Sequence, residues 1–310
     1  MHFKTIPETN RQSRWRVTAY QPSGVDHFTG PSTPIHLVTI LYRSGESFPG
    51  FLRNMLAQDR PDWRLHIIDN GDPQSAAVAE ALADPRISIS RNPANLGFAR
   101  AANQGMREAL AEGARAVLLI NNDVILPANL ISGFGEAARQ LPGAVLSPRI
   151  MDTPDVCGFA GGSIDKNWIF ESVSRPYDPA VTEPQRSEFA WGCCLFVPAE
   201  VLNKVGFLDE RFFVYWEDSD FCLRLNQAGV PIYYLPGISI HHKGRESTGG
   251  GFSPAYQKLF CISHMQFLKK HFGFGHALVT MLRLMRRDLE RRNFVHFGVK
   301  MGAMLRGLLR

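Results

Sequence analysis

The pattern of apolar and polar positions divides the chain near residue 35 and again near residue 250. Before Ile35, Arg, Thr, Ser, Pro and Gly follow one another without a period, so residues 1–34 read as an extension with no core of its own. From there, short apolar runs alternate with longer stretches whose apolar residues recur every three to four positions. The runs Ile35–Leu41, Leu65–Ile68, Ile87–Ile89, Ala116–Ile120 and Ala144–Ser147 predict strands. The stretches Phe48–Ala57, Ser75–Ala83, Phe98–Ala111 and Asn129–Arg139 predict helices. This alternation predicts an α/β fold, with a mostly parallel sheet flanked by helices on both faces.

After about residue 150 the rhythm breaks. Gly161-Gly162, Pro176, Pro179 and Pro184 mark a long irregular region. Beyond it, Phe189–Val197 predicts one strand, Pro198–Lys204 a short helix and Asp218–Ala228 another helix. Ile232–Leu235 and Ile238–His242 predict two further strands. Gly249-Gly250-Gly251 reads as a hinge before a helical section that runs to residue 310.

Charge changes the picture in one respect. The formal net charge is +5, yet residues 276–310 alone hold eight Lys/Arg against two Asp/Glu. The body is therefore close to neutral and the basic character belongs to the tail. A nucleic-acid binder spreads positive charge over a fold surface, so no nucleic-acid partner is expected. The five cysteines are odd in number and form no CxxC pair, which favours reduced thiols over a disulfide framework or a zinc site. No apolar leader and no run long enough to span a bilayer appear, so the chain reads as cytoplasmic.

Candidate chemistry gathers where ligands bind in open α/β sheets, beyond the carboxyl ends of the strands. Polar clusters follow three predicted strands: Tyr42-Arg43-Ser44, Asp69-Asn70-Gly71 and Asn121-Asn122-Asp123. Arg91-Asn92 and Asn95-Leu96-Gly97 precede a helix N-terminus. Carboxylates and amides suit a nucleoside, and a helix N-terminus suits a diphosphate because its free N–H groups favour anions. Asn, Asp and Gly also make turns, so each cluster alone is equally explained by chain reversal. Asp123, after an unbroken apolar run, offers the hard oxygen that Mn2+ or Mg2+ accepts when phosphates complete the shell. In Phe212–Asp220, three carboxylates crowd behind an aromatic run. Asp218 falls near a helix start, where packing would desolvate and fix it as a general base; a helix-capping role fits the same positions. His241-His242 end a strand, and one imidazole could complete a metal shell, with Lys243 or Arg245 beside phosphate.

With these segments in order, the chain resembles family 2 glycosyltransferases of the GT-A fold, above all their rhamnosyltransferase-like branch. The resemblance is carried by Val38–Tyr42, Ile67–Gly71, Asn95–Ala99 with Asn103, Leu119–Val124, Trp191–Cys194, Gly206–Phe213, Trp216–Asp220 and the His241 segment, across roughly residues 35–250. It implies an inverting transfer of a sugar, rhamnose among the candidates, from a dTDP-, UDP- or GDP-linked donor to a glycan or polyprenyl-linked acceptor in cell-surface polysaccharide synthesis. Residues 35–150 would bind the donor and 151–250 the acceptor. By the same resemblance the donor site draws on Tyr42, Asp69, Asn70, Arg91, Asn95, Gly97, Asn103, Asn121 and Asn122. Trp191, Gly192 and Trp216 face the acceptor. Asp123 stands where the family places its metal-binding aspartate, with Asn121 in place of the first acid of that motif. Asp218, with Glu217 before it, matches the catalytic base, and His241 or His242 matches a metal- or diphosphate-contacting histidine.

Two other classes compete. A sugar-nucleotide nucleotidyltransferase needs a Gly-rich loop with a lysine after the first strand, and Tyr42–Glu46 has neither. A non-catalytic carbohydrate-binding protein has no need of Asp123 and Asp218. In the tail, Leu278, Met281, Leu282, Met285 and Leu289 form one helical stripe and Phe297, Met301, Leu305 and Leu308 another, both flanked by arginines. That pattern fits a basic amphipathic surface resting on the inner face of a membrane, and equally helices packed on the body.

Overall fold

The computed structural model describes residues 34–45, 47–71, 83–165, 171–242, 253–290, 292, 294 and 297–310. The expected extension up to residue 33, nearly all of the helix expected at 75–83, the segment with Lys243 and Arg245, and the glycine hinge lie outside the described residues. In chain order the elements are β1 (Ile35–Leu41), α1 (Ser47–Leu56), β2 (Trp63–Asp69), β3 (Ile87–Arg91), α2 (Phe98–Ala111), β4 (Ala116–Ile120), β5 (Val124–Ile125), α3 (Leu130–Gln140) and β6 (Val145–Thr153). Then follow β7 (Val156–Phe159), β8 (Gly162–Asp165), β9 (Glu171–Ser174), β10 (Gln185–Ser187), β11 (Cys194–Pro198), α4 (Ala199–Val205), α5 (Glu217–Gln227) and β12 (Ile232–His242). The chain closes with α6 (Pro254–Phe272), α7 (Phe274–Glu290) and α8 (Phe297–Leu309).

The main sheet runs β10-β12-β6-β11-β4-β1-β2-β3, with β5 on β12 and β7 on β6. β3, β2, β1 and β4 are mutually parallel, β11 is antiparallel to both β4 and β6, and β12 returns parallel to β6. The sheet is thus mixed around a parallel half. β4 and β11 are buried at every position, as strands covered on both faces must be. Phe134 of α3 stacks on Phe196 of β11, ring centroids 5.7 Å apart, and seals one face.

The structure departs from the periodicity in the second half. The strand expected over Phe189–Val197 is shortened to β11, because Gly192-Cys193 turn and the Cys193 carbonyl is taken by the Asn121 N–H at 2.9 Å. The two strands expected around Pro236-Gly237 are one, β12, whose register on β6 shifts between Leu235 and Ser239. A local irregularity absorbs residues that break a ladder without ending the strand.

The C-terminal helices are tied to the body by burial and charge. Asp220 of α5 is fully buried and meets Arg224 at 2.8 Å, His271 at 2.7 Å and the Lys270 ammonium. Lys270 also reaches Asp209 at 2.7 Å. Burial alone would raise the Asp220 pKa, but His271, Arg224 and Lys270 outweigh it and hold the carboxyl below its ordinary range. α8 lies so close to α6 that a Cβ on Gly307 would collide with the Ile262 carbonyl. The amphipathic stripes of the tail are divided: Met281 and Leu308 are buried, whereas Leu282, Leu289, Met301 and Leu305 face outward. Among the described residues no helix is long and apolar enough to cross a membrane.

Candidate active site

The parallel ladder continues past its strands. Asn70 N–H donates to the Leu41 carbonyl and Asn92 N–H to that of Asp69, so the polar segments after β1, β2 and β3 leave the sheet side by side. With the residues after β4 they border a cavity of about 520 Å3. Its lining includes Tyr42, Arg43, Ser44, Asn70, Asn95, Gly97, Asn121, Asn122 and Asp123. The opposite wall is Phe213 and Val214, with Ala255 and Leu259 of α6.

Several asparagines that border the cavity also hold its edges. The Asn70 side chain donates to Asn95 Oδ1 at 2.9 Å and accepts from Leu96 N–H at 3.0 Å, fixing the loop that starts α2. Asn122 donates to the Ile40 carbonyl and to Ser44 Oγ at 3.0 Å, pinning the turn after β1. The turn role and the lining role therefore coexist. Asn103 is different. Its buried amide bonds the Leu208 backbone and Glu210, clasping α2 to the 208–210 loop, and it does not line the cavity. Asp69 and Arg91 face each other at 3.7 Å at the ends of β2 and β3, also off the lining.

Gly97 is required by geometry. Its φ is +88°, and a Cβ would lie 2.5 Å from the Phe213 carbonyl, which accepts the Phe98 N–H at 2.6 Å. The α2 N-terminus and the 213–214 wall are thereby held in contact. Gly97→Ala should cost roughly 2 kcal/mol or more in urea denaturation, by backbone strain plus clash. Gly113→Ala separates the two causes, since its φ is +86° with no atom within 4 Å of the added carbon. Equal losses in both variants would remove any role for the Phe213 contact.

Sheet pairing brings the second half to the first. β11 starts where β4 ends, Cys194 opposite Ile120, which sets Gly192-Cys193 beside Asn121. β12 ends on β5, His242 opposite Val124, which sets its ring beside Asp123: Nε2 to Oδ1 is 3.2 Å. Successive strand residues point to opposite faces, so His242 and not His241 meets the carboxylate. Burial disfavours charge on the His242 ring, but Cys193 and Asp123 outweigh it and push the pKa up to about 11. A nitrogen and an oxygen 3.2 Å apart match adjacent vertices of an octahedron whose bonds are about 2.1 Å, an edge of ~3 Å. The pair fits a divalent cation with its remaining positions open, the ion displacing the proton that the His242 ring carries in its absence.

Asp218 does not line the cavity, but it is tied to the same strand end through the 192–193 segment. Its carboxylate accepts from Gly192 N–H at 3.1 Å and from Ser219 N–H at 2.7 Å. A Cβ on Gly192 would press on Asp218, 3.1 Å from its Cβ. Tyr215 and Trp216 just before it both have left-handed φ, 69° and 70°, a strained entry into α5. Aromatic packing holds them: Tyr215 meets Tyr256 at 5.0 Å, and buried Trp216 stacks on His264 at 4.0 Å. Trp216 thus faces α6. Trp191 stacks on Phe159 at 5.4 Å, and neither tryptophan is in the cavity lining. Burial raises the pKa of both Glu217 and Asp218. Glu217 is pushed furthest, next to the Asp218 charge and with no hydrogen-bond partner for Oε2 among the described residues. The amide donors favour the ionised form at Asp218, so Glu217 keeps the proton and Asp218 the charge.

Sequence reasoning did not reach Phe213, Val214, Ala255 and Leu259 as cavity wall, nor Cys193 as a neighbour of His242. The helical residues carry no local signal; only the docking of α6 brings them to the strand ends.

The mixed sheet, parallel in one half and completed by an antiparallel strand, with helices against it, is a GT-A-like α/β fold. Solved structures share the fold. GalNAc-T7 with UDP, GalNAc and Mn2+ superposes with a TM-score of 0.61 at 14% identity, over 77% of this chain and 48% of that one. The chain therefore spans about half the length of that protein. The S. aureus TarS 1-349 structure superposes with a TM-score of 0.54 at 12% identity, over 89% of this chain and 81% of that one. Residues 37–206 match the model of glycosyl transferase family 2, and the chain belongs to that family. It is 28% identical over 238 residues to the N-acetylglucosaminyl-diphospho-decaprenol L-rhamnosyltransferase of Mycobacterium tuberculosis, 69% of this chain and 77% of that protein. It is 26% identical over 193 residues to the dTDP-rhamnosyl transferase RfbF of Shigella flexneri, 61% and 63% of the two chains. The low-salt glycan biosynthesis hexosyltransferase Agl10 of Haloferax volcanii is 22% identical over 229 residues, 72% and 71%.

Proposed function

We propose that this family 2 enzyme is an inverting rhamnosyltransferase that uses a dTDP-linked donor and a polyprenyl-linked glycan acceptor. The observation that carries the reading is Asp123 with His242 at the rim of the cavity, and Asp218 held by the neighbouring Gly192. The names of the relatives support the sugar, the nucleotide and the lipid carrier. Residues 35–150 bind the donor, with Tyr42, Asn70, Asn95, Gly97, Asn121 and Asn122 around nucleotide and diphosphate; 151–250 present the acceptor.

Asp218 takes the proton of the acceptor hydroxyl as its oxygen bonds to the anomeric carbon. The bond to the leaving diphosphate breaks on the opposite side, so configuration inverts. Asp123 and His242 would hold a Mn2+ or Mg2+ ion, which neutralises charge growing on the diphosphate. Calorimetry tests the donor assignment. With Mn2+ present, dTDP-rhamnose should bind more tightly than UDP- or GDP-sugars, and Asp123→Ala should weaken it about tenfold or more, a loss of roughly 1.4 kcal/mol. Equal affinity of that variant with and without metal, matching the unaltered protein, would remove Asp123 from the site.

The outward-facing half of the tail supports contact with an anionic membrane at the cytoplasmic face, where a lipid-linked acceptor resides. Leu282, Leu289, Met301 and Leu305 stand among exposed Arg283, Arg286 and Arg306. Leu282→Glu with Leu305→Glu should abolish co-sedimentation with phosphatidylglycerol vesicles and leave the fold intact, because neither side chain is in the core. Unchanged sedimentation would return the tail to a packing role.

A further inference from the structure

At the end of the sheet remote from the cavity, β1, β2 and β3 place three polar side chains under α2. His36 of β1 and His66 of β2 are both buried, and His36 Nδ1 lies 2.9 Å from His66 Nε2 with the rings stacked. Ser88 of β3 stands opposite His66 in the ladder and meets its other nitrogen, Nδ1, at 3.1 Å. Glu112, at the C-terminal cap of α2, brings a carboxylate oxygen to 3.9 Å from His66 Nε2. α2 can lie this close because Gly105 faces Val38, two residues along from His36 on the same face of β1. One nitrogen from each histidine and one oxygen from Glu112 all fall within 4.8 Å of one another.

We propose that His36, His66 and Glu112 form a second metal site, separate from the catalytic one, for a divalent ion of the zinc class. Two imidazoles and one carboxylate are a zinc ligand set with the fourth position left to water. The neighbours satisfy what such a site asks of its surroundings. Ser88 on the far nitrogen of His66 fixes the ring and turns its other lone pair toward His36. Burial keeps both rings neutral, so their lone pairs are available. Without metal the two facing nitrogens share a single proton. That proton moves to the outer nitrogen of the histidine that carries it, so both facing lone pairs bind zinc, the facing nitrogens opening from 2.9 Å to the tetrahedral edge of ~3.3 Å set by bonds of about 2.0–2.1 Å. Glu112 is exposed and closes its longer gap by side-chain rotation, and its side offers the ion a route in. The ion joins β1, β2 and α2 far from the donor cavity, so it acts on stability and not on transfer.

The experiment is a zinc chloride titration of the full chain carrying Asp123→Ala, which removes the catalytic ligand from the count. One equivalent should bind, thermal unfolding should shift upward, and Co2+ in place of zinc should give the intense visible bands of a tetrahedral site. Adding Glu112→Gln, a surface change that the fold tolerates, should weaken zinc about tenfold or more, since loss of even an outer-shell partner costs that much. His66→Ala should abolish the cobalt bands. No bound equivalent in the Asp123→Ala background would overturn the site, as would zinc affinity unchanged by Glu112→Gln and His66→Ala together. Binding of one ion with octahedral cobalt spectra and no loss in either variant would place the metal elsewhere.

Discussion

Asp218→Asn is expected to lower kcat by ~10²–10⁴-fold, the range a positioned general base contributes, while donor affinity stays nearly unchanged. The substitution keeps the volume but leaves an acceptor for only one of the Gly192 and Ser219 N–H groups, which bond separate carboxylate oxygens, and it cannot take up a proton. The residues proposed to bind the donor lie across the 192–193 segment, so calorimetry separates binding from chemistry. The pH profile gives a second reading. Burial raises the Asp218 pKa above the ordinary value of 3.8, and the base works only when ionised. Activity should therefore rise with pH through a limb above 3.8, set by the Glu217–Asp218 pair together. An asparagine variant that keeps most of its turnover, or an acid limb at or below 3.8, would sink the assignment.

Asp220→Ala should be among the most destabilising single changes on the surface where α5 meets α6. Removing one member of a buried ion-pair group leaves charges without partners and costs about 3–5 kcal/mol. Here Lys270 keeps Asp209, but His271 and Arg224 lose their shared carboxylate. Chemical denaturation at neutral pH reads the loss directly. The pH dependence has a definite sign: the folded Asp220 pKa is depressed, so its contribution is present above 3.8 and lost as pH falls through the folded value. A loss below about 1 kcal/mol would mean the group is solvated and screened like a surface pair.

Legibility in the sequence followed locality. Ile35–Leu41, Phe98–Ala111 and Ala116–Ile120 have the boundaries that apolar period and turn residues set, because each is buried by neighbours with the same period. The strands between Thr153 and Ser187 were not legible. All are short, and β7 and β10 are partly exposed and held by pairing rather than by their own pattern. The strand-end clusters could be found because polar residues directly after fully apolar strands need a reason to be there. Which histidine approaches Asp123 depends on the register of β12 on β5, a long-range pairing that spacing does not encode. The clasp made by Asn103 was hidden for the same reason: its partners lie more than a hundred residues away.

The contribution of Ala255 and Leu259 to the cavity has a consequence for divergence. The floor of the site comes from the sheet, whose residues answer to folding and chemistry at once. One side of the same space comes from an appended helix whose two lining positions, Ala255 and Leu259, are small or aliphatic. Enlarging 255 or trimming 259 reshapes the cavity from outside the sheet. The shape of this cavity can thus drift through a segment that lies beyond the matched residues 37–206.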